Sequence, residues 1–183
     1  MKKKVFIGCG AGFSGARFDA SIPIVKEFKH INAQKYLMFE VLAERTLAIA
    51  QQYRIKNPEE GYSPFLDSYI TPIIDDCLQN NIKIISNIGA ANPLGAAKRI
   101  LQISKEQKTR KPKIGVVVGD DLLEYMSNKE ILESPTMEGL DFSNNQITAA
   151  NVYLGAKPIA EALSKGADIV IVGRTVDLSL IHI

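Results

Sequence analysis

Ile82-Lys83-Ile84-Ile85-Ser86-Asn87-Ile88-Gly89-Ala90-Ala91-Asn92-Pro93 decides how this chain is read. Ile82–Ser86 is an apolar, β-branched run of strand length. It breaks into a turn of small residues. Asn92-Pro93 then has the form of a helix start: a side-chain acceptor for first-turn N–H groups, followed by a residue that needs no donor there. A strand that passes through a short turn into a helix is one βα unit.

The same grammar repeats outward. Towards the N-terminus, Lys3–Ile7 reads as a strand that runs into a glycine-rich loop and a helix over Ala20–His30. Tyr36–Phe39 reads as a second strand. The periodicity predicts a helix over Val41–Arg54, closed by Asn57-Pro58. Phe65–Asn80 is helical in period, but Pro72 sits inside it; an interior proline costs about 3 kcal/mol, so a kink or break is expected there. Towards the C-terminus, Lys113–Val118 is a strand that exits into Gly119-Asp120-Asp121 and a short helix over Leu122–Met126. Ser127–Asn145 is irregular and reads as a lid or an insertion across the sheet edge. Ile147–Leu154 is a strand or an extended segment. Gly155–Lys165 is a helix capped by Gly166, and Ala167–Val172 is the last strand. This alternation predicts an α/β fold, a mainly parallel open sheet with helices on both faces in Rossmann-like layering.

Composition narrows the class. The chain has 183 residues, 46% hydrophobic and 23% charged, with a net charge of +2. That is enough for one domain with a core and gives no polyanion-binding character. The basic cluster at Lys105, Lys108, Arg110, Lys111 and Lys113 has no interleaved aromatic residues, so nucleic acid is not an expected partner. No apolar stretch reaches the roughly 20 residues needed to span a bilayer, and no secretory h-region precedes the first strand. Two distant cysteines, Cys9 and Cys77, with no CxxC spacing, and only two histidines point to a reduced, cytoplasmic protein with no disulfide framework, no zinc site and little room for a His-ligated metal.

Chemistry-bearing residues sit at the strand exits, where open α/β sheets bind ligands. Gly10-Ala11-Gly12-Phe13-Ser14-Gly15 matches a GxGxxG pattern. It fits a loop for an anion or substrate, with Gly10, Gly12, Ser14 and Arg17 in contact. It also fits a dinucleotide loop with Glu40 at the ribose, or a plain structural turn. Arg17 has an alternative partner in Asp19. Asp120 and Asp121 suit general-base work or a divalent cation bound by oxygen ligands, with one of them capping the following helix and the other facing the cleft. Glu40 and Glu44, four apart on one helical face, are each candidates for the second carboxylate. Asn87 and Asn92 are neutral amides for a carbonyl or hydroxyl, although a plain N-cap is the favoured reading of Asn92. Asn151 and Arg174 complete the set, the arginine as a fork for a carboxylate or phosphate.

Six ordered strings carry a family resemblance. They are 7–19, 39–46, 86–93, 119–121, 150–156 and 167–177, the last reading Ala-Asp-Ile-Val-Ile-Val-Gly-Arg-Thr-Val-Asp. Together they resemble the N-terminal domain of the acyclic terpene utilisation (AtuA) family over Lys4 to Asp177. The resemblance implies a place in the catabolism of citronellol- or geraniol-like isoprenoids, which proceeds through CoA thioesters. It carries over no assigned reaction and no cofactor. Leu178-Ser179-Leu180-Ile181-His182-Ile183 reads as a translated sequencing-adapter end, so the expected division is residues 1–177 as the family domain, continuing in the natural protein, and 178–183 as foreign.

The expected function is an enzyme or substrate-binding domain acting on a small branched acyl metabolite. Asp120 or Asp121 would serve as base, with Glu40 as partner. Gly10, Gly12, Ser14, Arg17, Asn87, Asn92, Asn151 and Arg174 would contact substrate. A nucleotide-dependent oxidoreductase and a non-catalytic subunit that binds pathway partners are the alternatives. A homo-oligomer is compatible with each.

Overall fold

The structure is a computed structural model and describes residues 4–136, 139 and 146–176. Five strands form one all-parallel sheet: β1 (Val5–Ala11), β2 (Gln34–Phe39), β3 (Ile82–Ser86), β4 (Ile114–Val117) and β5 (Ile169–Val172). Their spatial order is β1-β2-β3-β5-β4. The helices are α1 (Ser21–Phe28), α2 (Glu44–Lys56), α3 (Leu66–Ile70), α4 (Ile74–Gln79), α5 (Pro93–Glu106), α6 (Asn128–Leu132) and α7 (Lys157–Ser164), with a 3-10 turn at Leu122–Glu124.

The order explains the layering. From β1 through β3 to β4 the chain steps in one direction, so right-handed crossovers place α1, α3, α4 and α5 on one face. From β4 to β5 it steps back, which sends α7 to the other face. Side-chain alternation follows. Ile84, Ile169 and Ile171 join Val25, Phe28, Tyr69, Ile74 and Ile100 in the larger core. Ile85, Val170 and Val172 point the opposite way and meet Ile159 of α7. The inner strand β5 is buried along its whole length, as expected of a parallel strand covered on both sides.

Several boundaries are set by local chemistry. Pro72 separates α3 from α4, as its missing N–H requires. Asn92 caps α5, accepting the Gly95 N–H at 2.9 Å, with Pro93 in the first helical position. Other boundaries differ from the sequence expectation. β1 runs on through Gly8, Cys9 and Gly10 to Ala11, so the first two residues of the glycine pattern lie within a strand. α2 starts at Glu44, which leaves Glu40 outside the helix and breaks the shared face expected of Glu40 and Glu44. The Ser127–Asn145 stretch contains a short helix: the Ser127 hydroxyl and the Glu130 carboxylate form a capping box. The remainder of that stretch falls largely outside the described residues, as does the 177/178 boundary. Residues 147–154 form no named strand. They make two isolated bridges, Asp121 with Asn151 and Leu154 with Thr175.

Candidate functional site

The chain leaves β3 for one face and β4 for the other. The crevice between those two exits, over the end of β5, is the switch point where this architecture binds ligands. A pocket of about 130 Å³ opens there, lined by the β3 exit (Ala90 to Leu94), the β4 exit (Val118 to Asp121), Glu124, Asn151 and Arg54.

Asp120 is its buried carboxyl group, 5% exposed. Segment 150–152 runs beside 120–122 because the Leu122 N–H donates to Ala150 O and the Val152 N–H to Asp120 O, both at 2.8 Å. That pairing brings Asn151 Nδ2 within 3.0 Å of Asp120 Oδ2. The same oxygen accepts the Arg174 N–H at 2.8 Å. Among the described residues, Asp120 Oδ1 accepts no hydrogen bond from another residue. Burial pushes the Asp120 carboxyl above its ordinary range; the donated bonds from Arg174 and Asn151 pull partly back. Asp121 takes the capping role: its Oδ1 accepts the Leu123 N–H at 3.0 Å. Its Oδ2 pairs with Arg54 Nη1 at 3.2 Å.

Helix α2 roofs this edge. Leu47 and Ala50, with Leu42 just ahead of the helix, pack on Ala90 and Ala91 of the β3 exit. Polar latches hold its two ends. At one end, Arg54 reaches Ala91 O at 2.8 Å and Glu124 at 2.9 Å as well as Asp121. At the other, Arg174 Nη1 donates to Leu42 O at 2.7 Å, while its guanidinium lies 4.3 Å from the Tyr153 ring centre. The Tyr153 hydroxyl donates to Glu44 and holds that carboxyl below its ordinary range. On the far side of α2 lies an apolar groove of about 190 Å³. Thr46, Ile49, Ala50 and Tyr53 of α2 face Val41, Leu42, Tyr62, Pro64, Phe65 and Ser14 across it. Ala90 lines both chambers. It has φ 45°, an uncommon left-handed conformation for a residue with a side chain, of the kind that clusters at ligand sites.

The structure thus brings Asp120, Asp121, Asn92 and Asn151 around one pocket. It places the other expected residues elsewhere. Asn87 is fully buried, accepting the Val41 N–H at 2.8 Å and donating to Glu40 at 2.7 Å. That pair ties the β2 and β3 exits together and faces neither chamber. Asn92 lines the pocket with its side chain engaged: beyond the cap, Nδ2 donates to Pro58 O and Glu60 O at 3.0 and 2.8 Å. Arg174 is 2% exposed and directs its guanidinium to backbone carbonyls of Leu42 and Thr175. Arg17 forms an exposed fork with Asp19 at 2.7 and 2.8 Å.

The glycine loop follows β1, an edge strand, about 19 Å across the sheet from β4 (four spacings of roughly 4.8 Å). Gly10 faces the Phe39 ring, and α1 does not begin until Ser21. The pattern therefore lacks both the switch-point position and the adjoining helix end of a dinucleotide loop. Ser14 alone of that set reaches a chamber.

Sequence reasoning missed Arg54, Glu124 and the aromatic wall. Arg54 looks like any basic residue in the last turn of a helix. Tyr62-Ser63-Pro64-Phe65 carried a usable signal, since two rings beside a proline in a loop are apolar surface without an element to bury it. Among the described residues, no three His, Cys, Asp or Glu side chains are grouped to hold a metal ion, and no helix is long and apolar enough to cross a membrane.

A parallel α/β domain with a pocket at its switch point is the class that the fold defines. The chain belongs to the acyclic terpene utilisation family: the family model for "Acyclic terpene utilisation family protein AtuA" matches residues 5–182. Membership implies a role in acyclic terpene utilisation. No curated protein and no solved structure matches the chain.

Proposed function

We propose that this chain is an enzyme, or the substrate-binding domain of one, acting on a branched acyl metabolite of acyclic terpene use, carried as a CoA thioester. The observation that carries the reading is the pair of chambers flanking α2. One is apolar and suits a branched hydrocarbon. The other holds a buried carboxyl group at the usual ligand position of the fold.

Asp120 is the proton-handling group. Burial raises its pKa towards the working range of a general acid or base, and its hydrogen bonds from Asn151 and Arg174 fix its orientation. Asp121 holds Arg54, and through it the roof helix. Ser14 offers a hydroxyl to the groove.

Thermal unfolding in the presence of branched acyl-CoAs tests this, with free CoA and NADH as controls. Binding to the native state raises the melting temperature by mass action. A rise with the acyl-CoA that is lost in Asp120→Asn/Asp121→Asn, with the free variant still folded by circular dichroism and cooperative in its own melt, supports the reading. A saturable rise with NADH that Gly12→Asp removes moves it to a dinucleotide oxidoreductase. Absence of any rise, with co-purification of a pathway enzyme, moves it to a non-catalytic subunit.

A further inference from the structure

We infer that two copies of this chain join through β4, edge to edge and antiparallel across a two-fold axis, so that their sheets run on as one and the basic start of each β4 lies beside the acidic exit of the other.

β4 is the last strand of the sheet and bonds to β5 on one side alone. Lys113 O accepts the Asp168 and Ile169 N–H groups, and the Lys113 N–H donates to Asp168 Oδ2. Backbone direction alternates along a strand. Residues 113, 115 and 117 therefore turn their peptide groups to β5, and the N–H groups of Ile114, Val116 and Val118 point outwards. Among the described residues, nothing beyond the sheet bonds to the backbone of those three. Natural sheets usually blunt such an edge with a charge, a proline or a bulge. The opposite edge has one, since β1 shifts register between Cys9 and Ala11. Ile114-Gly115-Val116-Val117-Val118 has none of the three. A groove of about 460 Å³ is lined by the whole strand and by Pro158, Glu161, Ala162 and Lys165 of α7.

Self-complementarity selects a second copy as the occupant. With Val116 on the two-fold axis, its N–H meets the C=O of Val116 in the second copy, and the Val118 N–H meets the C=O of Ile114. Each bond repeats by symmetry. The two ends of the strand also match in charge. Ahead of it, Lys111 and Lys113 are exposed. Behind it lie three carboxyl groups, Asp120, Asp121 and Glu124, with one guanidinium, Arg54. Antiparallel pairing brings Lys111 of each copy towards the acidic exit of the other, whereas a parallel neighbour would set like ends together. Glu161 and Lys165 pair with each other at 2.7 Å, so together they add no net charge to the groove.

Size exclusion with light scattering on the full chain tests this. The mass should be twice that of one chain, and the dimer should loosen as salt rises. Val116→Pro removes the central donor and leaves the bonds to β5, at the kind of edge position that accepts proline. It should give a monomer that is folded by circular dichroism. Val116→Lys sets two like charges face to face across the axis and should do the same. Lys111→Glu should weaken the dimer about tenfold, because the reversal counts twice in a symmetric interface. A wild-type chain that stays monomeric at every accessible concentration overturns the inference. So does a dimer that survives in both folded Val116 variants. A dimer that Lys111→Glu leaves unweakened overturns the antiparallel pairing of the ends.

Discussion

The Arg174 N–H donates to Asp120 Oδ2 at 2.8 Å, so the exit of β5 holds the carboxyl group carried by the exit of its neighbour β4. The contact is possible because Gly173 has no side chain. A Cβ there would lie 2.5 Å from Asp120 Oδ2 and 2.8 Å from Ala90 O. Three strand exits meet at that single glycine.

Gly173→Ala should therefore displace Asp120 and cost about 1–3 kcal/mol, the usual range for overpacking. Urea unfolding measures the cost. An unchanged midpoint would mean that the exits tolerate separation.

The glycine pattern divides into a structural and an unconstrained position. A Cβ on Gly10 would fall 2.4 Å from the Phe39 ring, whereas one on Gly12 would meet nothing within 4 Å. Gly10→Ala should lose about 1–3 kcal/mol of stability, and Gly12→Ala within about 0.5 kcal/mol of none. Equal losses at the two sites would contradict this division. A ligand effect of Gly12→Ala at unchanged stability would identify the loop as a contact.

Helix α2 buries only Leu47, Ala50 and Gln51, so much of its attachment is the Arg54 latch. Arg54→Ala should speed amide exchange across α2 while leaving β3 and β5 protected, because weakly packed elements open locally. The global loss should be about 1 kcal/mol, since Arg54 is partly solvated. Exchange that rises equally in helix and sheet would show that α2 does not open on its own.

At the opposite edge of the sheet, Asp168 is 8% exposed and accepts from Arg110 at 2.8 and 2.9 Å, Lys83 at 3.0 Å and the Lys113 N–H at 2.9 Å. The Arg110 bonds above all hold its carboxyl far below the ordinary range, against the opposing effect of burial. A depressed carboxyl pKa stabilises fully above the unfolded value of 3.8 and progressively less as the pH falls towards the folded one. Asp168→Asn should cost about 2–3 kcal/mol near neutrality, discounted because Arg110 is half exposed. The gap to wild type should narrow below about pH 4. A gap that stays constant down to acid would rule out this linkage.

The β3–turn–α5 unit, the break at Pro72 and the Gly166 cap were legible because each follows from a local rule: β-branched run length, proline's missing donor, an N-cap amide, a left-handed glycine. The pairing of Asp120 with Asp121 as one facing group and one cap was legible for the same reason. Arg54 and the Arg174–Leu42 bond were not, since they join residues 67 and 132 positions apart. Nothing in the flanking residues encodes such a meeting.

What the sequence alone determined is the set of βα units and the polar character of their exits, because backbone propensity and side-chain period act over a few residues. Only the tertiary structure decided the order β1-β2-β3-β5-β4, and with it which exits share a pocket. That order depends on how whole sheet faces are buried by helices. It carries the glycine loop to one edge and leaves Asp120, Asn151 and the β3 turn together at the switch point.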